Sequence, residues 1–170
     1  MGKADTMAET AKRIIRNRFG CDADEIGTAG NVTNNSVYYF TAAGNRYLLK
    51  LYHSRDWPEE GKIPFVYWIL RQNHIPCAEL IAYSRNDGMY PDGYLIERRI
   101  EGMTADRIRF GREQETIFYA GLAELVSSVH SIRVRNFGYI GSGVASHSSM
   151  TNFLEDEFDG FGGKLQDAVP

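Results

Sequence analysis

The chain has 170 residues, 43% of them hydrophobic and 24% charged, which is ordinary for a globular domain long enough to bury one core. Its formal net charge of -3 argues against nucleic acid as the main partner. The longest apolar run, residues 65–70, is too short to cross a membrane, and the charged N-terminus lacks the apolar core of a secretory signal. Cys21 and Cys77 form no CxxC motif and fit reduced thiols, which favours a cytoplasmic protein. Together with the charge and the short apolar run, this predicts a protein without membrane or nucleic-acid partners.

The first part of the chain predicts a helix and then three strands between about residues 24 and 52, the last two of which form a β-hairpin. Thr6 opens a capping-box pattern, an apolar stripe follows it, and Gly20 is a natural stop, so a helix is expected between them. Residues 37–40 are apolar or aromatic at every position, which is typical of a strand covered on both faces. Small residues at 42–45 predict a turn, and residues 47–52 predict the second strand of the hairpin.

The rest of the chain alternates between helical and strand-like patterns. Pro64 suits the first turn of a helix, where its missing N–H costs nothing, and the helix is expected over residues 63–73. Two strands, a long helix and a short amphipathic segment then follow, at residues 79–83, 94–100, 113–131 and 152–158. This order predicts an α+β fold in which an antiparallel sheet has a helix inserted after its third strand.

The loop at residues 28–36 is a weak signal for phosphate binding. It is rich in Asn, Ser and Thr, whose amides and hydroxyls donate to oxyanions, and Gly30 lets the backbone approach a ligand. It contains neither a GxGxxG nor a P-loop motif. A polar hairpin loop without a ligand explains the same composition equally well.

Lys50 is the stronger candidate for a functional residue. Leucines flank it on both sides, so its stem is expected to be half-buried, and a buried ammonium needs an anion. A carboxylate together with nucleotide phosphates would satisfy it, whereas an exposed lysine that merely protects a sheet edge is the alternative. Glu59 and Glu60 are candidates for the carboxylate, with a slight preference for Glu60, although both also suit a helix N-terminus.

Four segments in order resemble landmarks of the aminoglycoside phosphotransferase and choline kinase superfamily. They are GNVTNNSVYYF, NRYLLKLY, GYLIERRIEG and LAELVSSVHSI with the later NFGYI. No single segment is specific, but the ordered set covers most of the chain up to about residue 140. The resemblance implies a protein-kinase-like N-terminal lobe at residues 1–101, with a five-stranded antiparallel sheet and one helix. Residues 102–170 would be the first helices of a truncated C-terminal lobe.

The resemblance also implies roles for single residues in binding ATP. The loop with Gly30, Asn34 and Ser36 would cover the phosphates, Lys50 would contact the α- and β-phosphates, and the helix after Glu60 would supply the ion partner of Lys50. The backbone of the hinge would hydrogen-bond adenine. The hinge residues are Glu97, Arg98, Arg99 and Ile100.

The chain departs from the family in one large respect. Members carry a catalytic loop H-x-D-x-x-x-x-N and a later metal-binding Asp, but His147 is followed by serines and matches neither. We therefore expect the front portion of a phosphotransferase, inactive alone, with Mg²⁺ held only when the remainder of the C-terminal lobe is present. The small-molecule acceptor would bind mainly to that remainder.

Two other functions are compatible with the same sequence. A kinase-like module without catalysis would expose the apolar stripe of the long helix and form a homodimer through it; the stripe contains Phe118, Leu122, Leu125 and Val129. An unrelated α+β ligand-binding domain is the third hypothesis.

Overall fold

The computed structural model describes residues 3–29, 35–86, 88–141 and 145–166. Its secondary structure follows the predicted order, with one additional 3₁₀ turn before the long helix. The elements are α1 (Lys3–Phe19), β1 (Glu25–Thr28), β2 (Asn35–Ala42), β3 (Asn45–Tyr52), α2 (Lys62–Gln72), β4 (Leu80–Ser84), β5 (Tyr94–Arg98), the 3₁₀ turn Ala105–Arg107, α3 (Arg112–Ser131) and α4 (Met150–Gln166).

Helix α1 begins earlier than the capping-box pattern predicts. Its first residue is Lys3, so Thr6 lies inside the helix and is not its N-cap. The preceding residues, Lys3 and Ala4, are good helix formers and extend the helix in the N-terminal direction. The predicted end is confirmed, because Gly20 has φ 70° and donates its N–H to the carbonyl of Arg16 at 2.9 Å.

The five strands form one antiparallel sheet in the order β1-β2-β3-β5-β4. The last strand in sequence, β5, therefore lies beside β3 and inside the sheet, and β4 forms its edge. Gly93 makes the entry to β5 possible: its φ is +87°, and a Cβ there would lie 2.7 Å from the carbonyl oxygen of Ser84. The predicted five-stranded antiparallel sheet with helices is confirmed.

The core lies between α1 and one face of the sheet. Ala11, Ile14 and Ile15 of α1 are fully buried against this face. Side chains alternate between the two faces along a strand, and those of the core face are nearly all aromatic or branched. They are Tyr38, Phe40, Tyr47, Leu49, Leu51, Tyr94 and Ile96. Burying them leaves the alternate residues of the same strands on the opposite face, which carries the candidate site.

Candidate active site

Lys50 projects from the face of the sheet opposite to the core. Its neighbours in β3, Leu49 and Leu51, are fully buried against α1, so alternation directs Lys50 away from them. In the sheet register Lys50 lies between Val37 of β2 and Leu95 of β5. The leucine-rich part of β3 thus holds the Lys50 ammonium on the face of the sheet opposite to the core.

Glu97 of β5 is the ion partner of Lys50. The Nζ of Lys50 donates to the Oε1 of Glu97 at 3.1 Å, and the side chains are 33% and 13% exposed. The two residues are diagonal neighbours on one face, because Lys50 is opposite Leu95 and Leu48 is opposite Glu97. Glu97 takes one of the three donors of the Lys50 ammonium, so the others remain free for a second anion.

The expectation that Glu59 or Glu60 pairs with Lys50 is corrected by this contact. Both residues lie in the turn before α2, which begins at Lys62, and so neither faces the sheet from a helical turn. The carboxylate of Glu59 is 3.0 Å from the ammonium of Lys62, and Glu60 is exposed beside a separate cavity with Arg55 and Arg85.

Tyr67 of α2 completes the cluster around Lys50. Its hydroxyl donates to the Oε2 of Glu97, the oxygen that Lys50 does not use. Burial raises the pKa of Tyr67, and the hydrogen bond and the charge of Glu97 raise it further. The phenol therefore stays protonated in the neutral range and serves as a donor.

A cavity of ≈ 660 Å³ opens beside this cluster, between the sheet and α2. Trp57 and Lys62 lie at its mouth, with the ammonium of Lys62 3.9 Å from the centre of the Trp57 ring. His53 also lines it, and its Nε2 is 2.9 Å from the Oγ of Ser36. Ser36, which belongs to β2, therefore lies near the same opening as Lys50.

A second cavity of ≈ 500 Å³ lies farther along the sheet, at its β1 edge. The guanidinium of Arg99 covers the ring of Tyr39 at 4.5 Å from its centre, and Arg46 pairs with Glu101 at 3.2 Å. Leu48 lies opposite Tyr39 and two residues before Lys50. Its apolar side chain therefore lies between the Tyr39–Arg99 pair and Lys50 on the same face of the sheet.

The four predicted hinge residues take different positions. Glu97 faces Lys50, whereas Arg98 projects to the core face, where it pairs with Glu79 at 2.6 Å. The N–H groups of Arg98 and Arg99 donate to the carbonyls of Glu79 and Arg46, so these two donors are already used within the sheet. The side chain of Ile100 is 71% exposed just beyond β5. Two other predicted residues, Gly30 and Asn34, lie outside the described residues.

Within the described ranges no group of three or more His, Cys, Asp or Glu side chains could hold a metal. His147 pairs through Nε2 with Asp156 of α4 at 2.7 Å, and its Nδ1 is 2.8 Å from the Oγ of Ser146. The segment after His147 thus leads within three residues into helix α4.

The order of elements and the lysine site agree with a known enzyme family. The family described as "Phosphotransferase enzyme family" matches residues 27–149, which is most of the chain. The chain belongs to the phosphotransferase enzyme family. No curated protein sequence matches it.

Solved structures of aminoglycoside phosphotransferases share the fold of this family member. The crystal structure of aminoglycoside phosphotransferase APH(4)-Ia is 16% identical with a TM-score of 0.69, and the match covers 88% of this chain and 49% of that one. A thermostable mutant of the same enzyme, in a ternary complex with ADP and hygromycin B, gives a TM-score of 0.70 over 95% of this chain and 53% of that one, at 16% identity. The GDP and kanamycin complex of APH(2")-IIia is 11% identical with a TM-score of 0.52, over 77% and 46%. This family member therefore spans about half the length of the solved structures that it matches.

Sequence analysis of this phosphotransferase relative missed two aromatic residues of the site. Tyr67 lies on the inward face of α2, and a phenol there needs a hydrogen-bond partner, which is the signal that could have marked it. Tyr39 is one of several alternating aromatics in β2, and no local feature separates it from its core neighbours. Its contact with Arg99 depends on strand order alone.

Within the described residues, no helix is both long enough and apolar enough to cross a membrane.

Proposed function

We propose that the chain is the ATP-binding portion of a kinase-like phosphotransferase that acts on a small-molecule hydroxyl group, and that it does not transfer phosphate alone. The observation that carries the proposal is the Lys50–Glu97 pair at the edge of an open cavity, on a chain that belongs to this family. Glu97 holds the ammonium in place, and the exposed third of Lys50 leaves donors for phosphate oxygens. The residues after β5 would begin the C-terminal lobe, which gives lobes at residues 1–101 and 102–170.

The two cavities on one sheet face support a bound nucleotide that lies along β3. Its phosphates would meet Lys50, and Ser36 would lie beside them. Leu48 would contact the sugar, because it lies two strand residues, or about 7 Å, from Lys50 in the direction of the Tyr39–Arg99 pair. The base would lie at the Tyr39–Arg99 end, where planar groups can stack.

Ile100 is the hinge residue whose backbone suits the base. Among the described residues no hydrogen bond engages its main chain, whereas the N–H groups of Arg98 and Arg99 are occupied. A purine edge can pair with exposed N–H and C=O groups, as the resemblance implies for this segment. Solved relatives carry AMP-PNP, ADP or GDP, so adenine in this chain is part of the proposal.

A calorimetric titration tests this function. The 170-residue chain is titrated with Mg-ATP at millimolar concentration, alongside Lys50→Ala and the control Lys12→Ala, which removes an exposed lysine paired with Glu9 on α1. We expect Lys50→Ala to weaken binding roughly tenfold or more, the effect of losing a hydrogen bond between charged groups. Lys12→Ala should leave the affinity unchanged. Absence of heat with the unmodified chain, or equal affinity for Lys50→Ala, would contradict the proposal.

A second candidate function is favoured by α3. Its apolar residues are exposed: Leu122 is 42%, Val126 43% and Val129 40% accessible to solvent. Exposed apolar stripes of this kind mark interaction surfaces. A kinase-like binding module that dimerises through α3 would cover them without any catalysis.

A further inference from the structure

Helix α2 reaches the lysine cluster through one polar contact. Within the described residues, Tyr67 is the residue of α2 that hydrogen-bonds to the Lys50–Glu97 pair. We infer that Tyr67 is a positioning residue: its hydroxyl fixes the Glu97 carboxylate so that Lys50 is held where it meets the nucleotide phosphates. The inference rests on the proposed nucleotide-binding function of Lys50. It adds Tyr67, which acts on Lys50 through Glu97.

The geometry divides the two oxygens of Glu97 between two donors. Oε1 accepts from the ammonium of Lys50 at 3.1 Å, and Oε2 accepts from the phenol of Tyr67. A carboxylate that is held at both oxygens has a fixed rotamer, whereas one held only by a flexible lysine can turn toward solvent. The Glu97 side chain is only 13% exposed, so water cannot readily replace a hydrogen bond that its carboxylate loses. The Tyr67 hydroxyl therefore favours the rotamer in which both oxygens are bonded.

The hydrogen bond from Tyr67 makes the position of the Lys50–Glu97 pair depend on the position of α2. Lys50 and Glu97 lie on adjacent strands of one sheet, β3 and β5, and their backbones are joined by the sheet ladder. A displacement of α2 leaves that ladder intact but removes the donor from Oε2. Tyr67 therefore links the position of the helix to the position of the lysine.

Tyr67 meets the chemical requirement for such a role. Desolvation and the adjacent carboxylate both raise the pKa of its phenol, so the group donates and does not repel Glu97 at neutral pH. Ile63 and Val66, which line the same cavity from α2, are apolar and cannot substitute as donors.

The test compares the accessibility of single lysines by pulsed acetylation and mass spectrometry on the full 170-residue chain. An amine that donates to a buried carboxylate is less accessible to the reagent, so Glu97→Gln sets the response expected when the Lys50–Glu97 contact is lost. We expect Tyr67→Phe to raise the acetylation rate of Lys50 about threefold, the lower end of the range for one hydrogen bond, because the Lys50–Glu97 contact is loosened and not removed. The rates of Lys12 and Lys62 should not change.

Tyr83→Phe is the matched control, because it removes a buried hydroxyl that has no hydrogen-bond partner among the described residues. It should leave Lys50 labelling unchanged. Equal labelling of Lys50 in the unmodified chain and in Tyr67→Phe would overturn the inference, and so would an increase at all three lysines alike, which indicates general loosening.

Nucleotide binding supplies a separate readout. Tyr67→Phe should weaken Mg-ATP binding about threefold, less than Lys50→Ala, because it disturbs the lysine without removing it. If the unmodified chain binds no ATP, the proposed function fails, while the labelling result still decides whether Tyr67 positions Lys50.

Discussion

At the scale of single residues, the hydroxyls of Tyr67, Tyr83 and Tyr90 differ in their hydrogen bonding. Tyr67 donates to Glu97, and Tyr90 donates to the carbonyl of Tyr52 at 2.7 Å. The hydroxyl of Tyr83 is buried without a hydrogen-bond partner in the described part of the chain, and burial raises its pKa. Because an unsatisfied buried hydroxyl costs free energy while a satisfied one contributes it, the same substitution should act in opposite directions.

Tyr83→Phe should therefore maintain or raise the free energy of unfolding, by up to about 1 kcal/mol, since it removes an unpaired polar group. Tyr90→Phe should lower it by about 1–2 kcal/mol, because it leaves the carbonyl of Tyr52 without its donor. Urea unfolding of both variants at neutral pH measures the difference. A loss of stability in Tyr83→Phe equal to that in Tyr90→Phe would show that the Tyr83 hydroxyl has a partner.

At the scale of elements, β5 serves both faces of the sheet. Glu97 turns toward α2 and the cavity, while Arg98, the next residue, turns to the core face and pairs with Glu79 just before β4. The guanidinium of Arg98 also lies over the ring of Tyr47, 5.3 Å from its centre. The contact ties the edge strand β4 to the sheet through an exposed ion pair, so its strength depends on pH and salt.

The Glu79–Arg98 contact predicts a pH dependence of stability. The hydrogen bond from Arg98, and then its charge, hold the pKa of Glu79 below its ordinary value of 4.5. A carboxyl with a lowered pKa in the folded state contributes stability above its ordinary pKa, and the contribution is lost as the pH falls through the folded-state pKa. Glu79→Gln should therefore be less stable than the unmodified chain at pH 7, and the difference should vanish in strong acid.

Urea unfolding across the acid range measures this difference. The control is Glu79→Gln in an Arg98→Met background, where the substitution should have no pH-dependent effect. A difference between Glu79→Gln and the unmodified chain that persists unchanged at the acid end would show that the hydrogen bond, and not the charge, is responsible.

At the scale of the whole molecule, the described residues divide into a well-packed sheet with α1 and an exposed helical part. The fully buried side chains belong to α1 and the sheet, whereas no described residue of α3 is buried. In α3 the aromatic contacts are local, as between Phe118 and Phe110 at 5.0 Å between ring centres. The exposed apolar stripe of α3 is the surface through which the proposed dimer would form.

Sedimentation velocity over a range of protein concentrations tests the second candidate function. We expect the apparent mass of the unmodified chain to rise with concentration and that of Leu122→Glu to stay at the monomer value, since a charge in the stripe opposes burial. Ser127→Glu adds the same charge to another face of α3 and should associate like the unmodified chain. A monomer at every concentration would exclude dimerisation through α3.

Much of the fold follows from local patterns in the sequence. The apolar and aromatic runs of β2 and β3, the turn between them, Gly20 and the apolar stripe of α3 each specify an element through contacts between near neighbours. The residue types also mark Lys50, because a cation among leucines needs an anion wherever the chain folds. The resemblance of four segments to phosphotransferases predicted the family and the five-stranded antiparallel sheet, and both are confirmed.

Only the tertiary structure decided which residue forms the ion pair with Lys50. Glu97 is 47 residues away in the chain and becomes a diagonal neighbour because β5 pairs with β3 inside the sheet, with β4 outside it. Glu60 is much nearer in sequence, but its turn lies before α2 and holds it at the surface. The charge of a residue such as Lys50 can be read directly from the sequence. Its ion partner depends on strand order and register, and these are set by the burial of apolar side chains over the whole sheet.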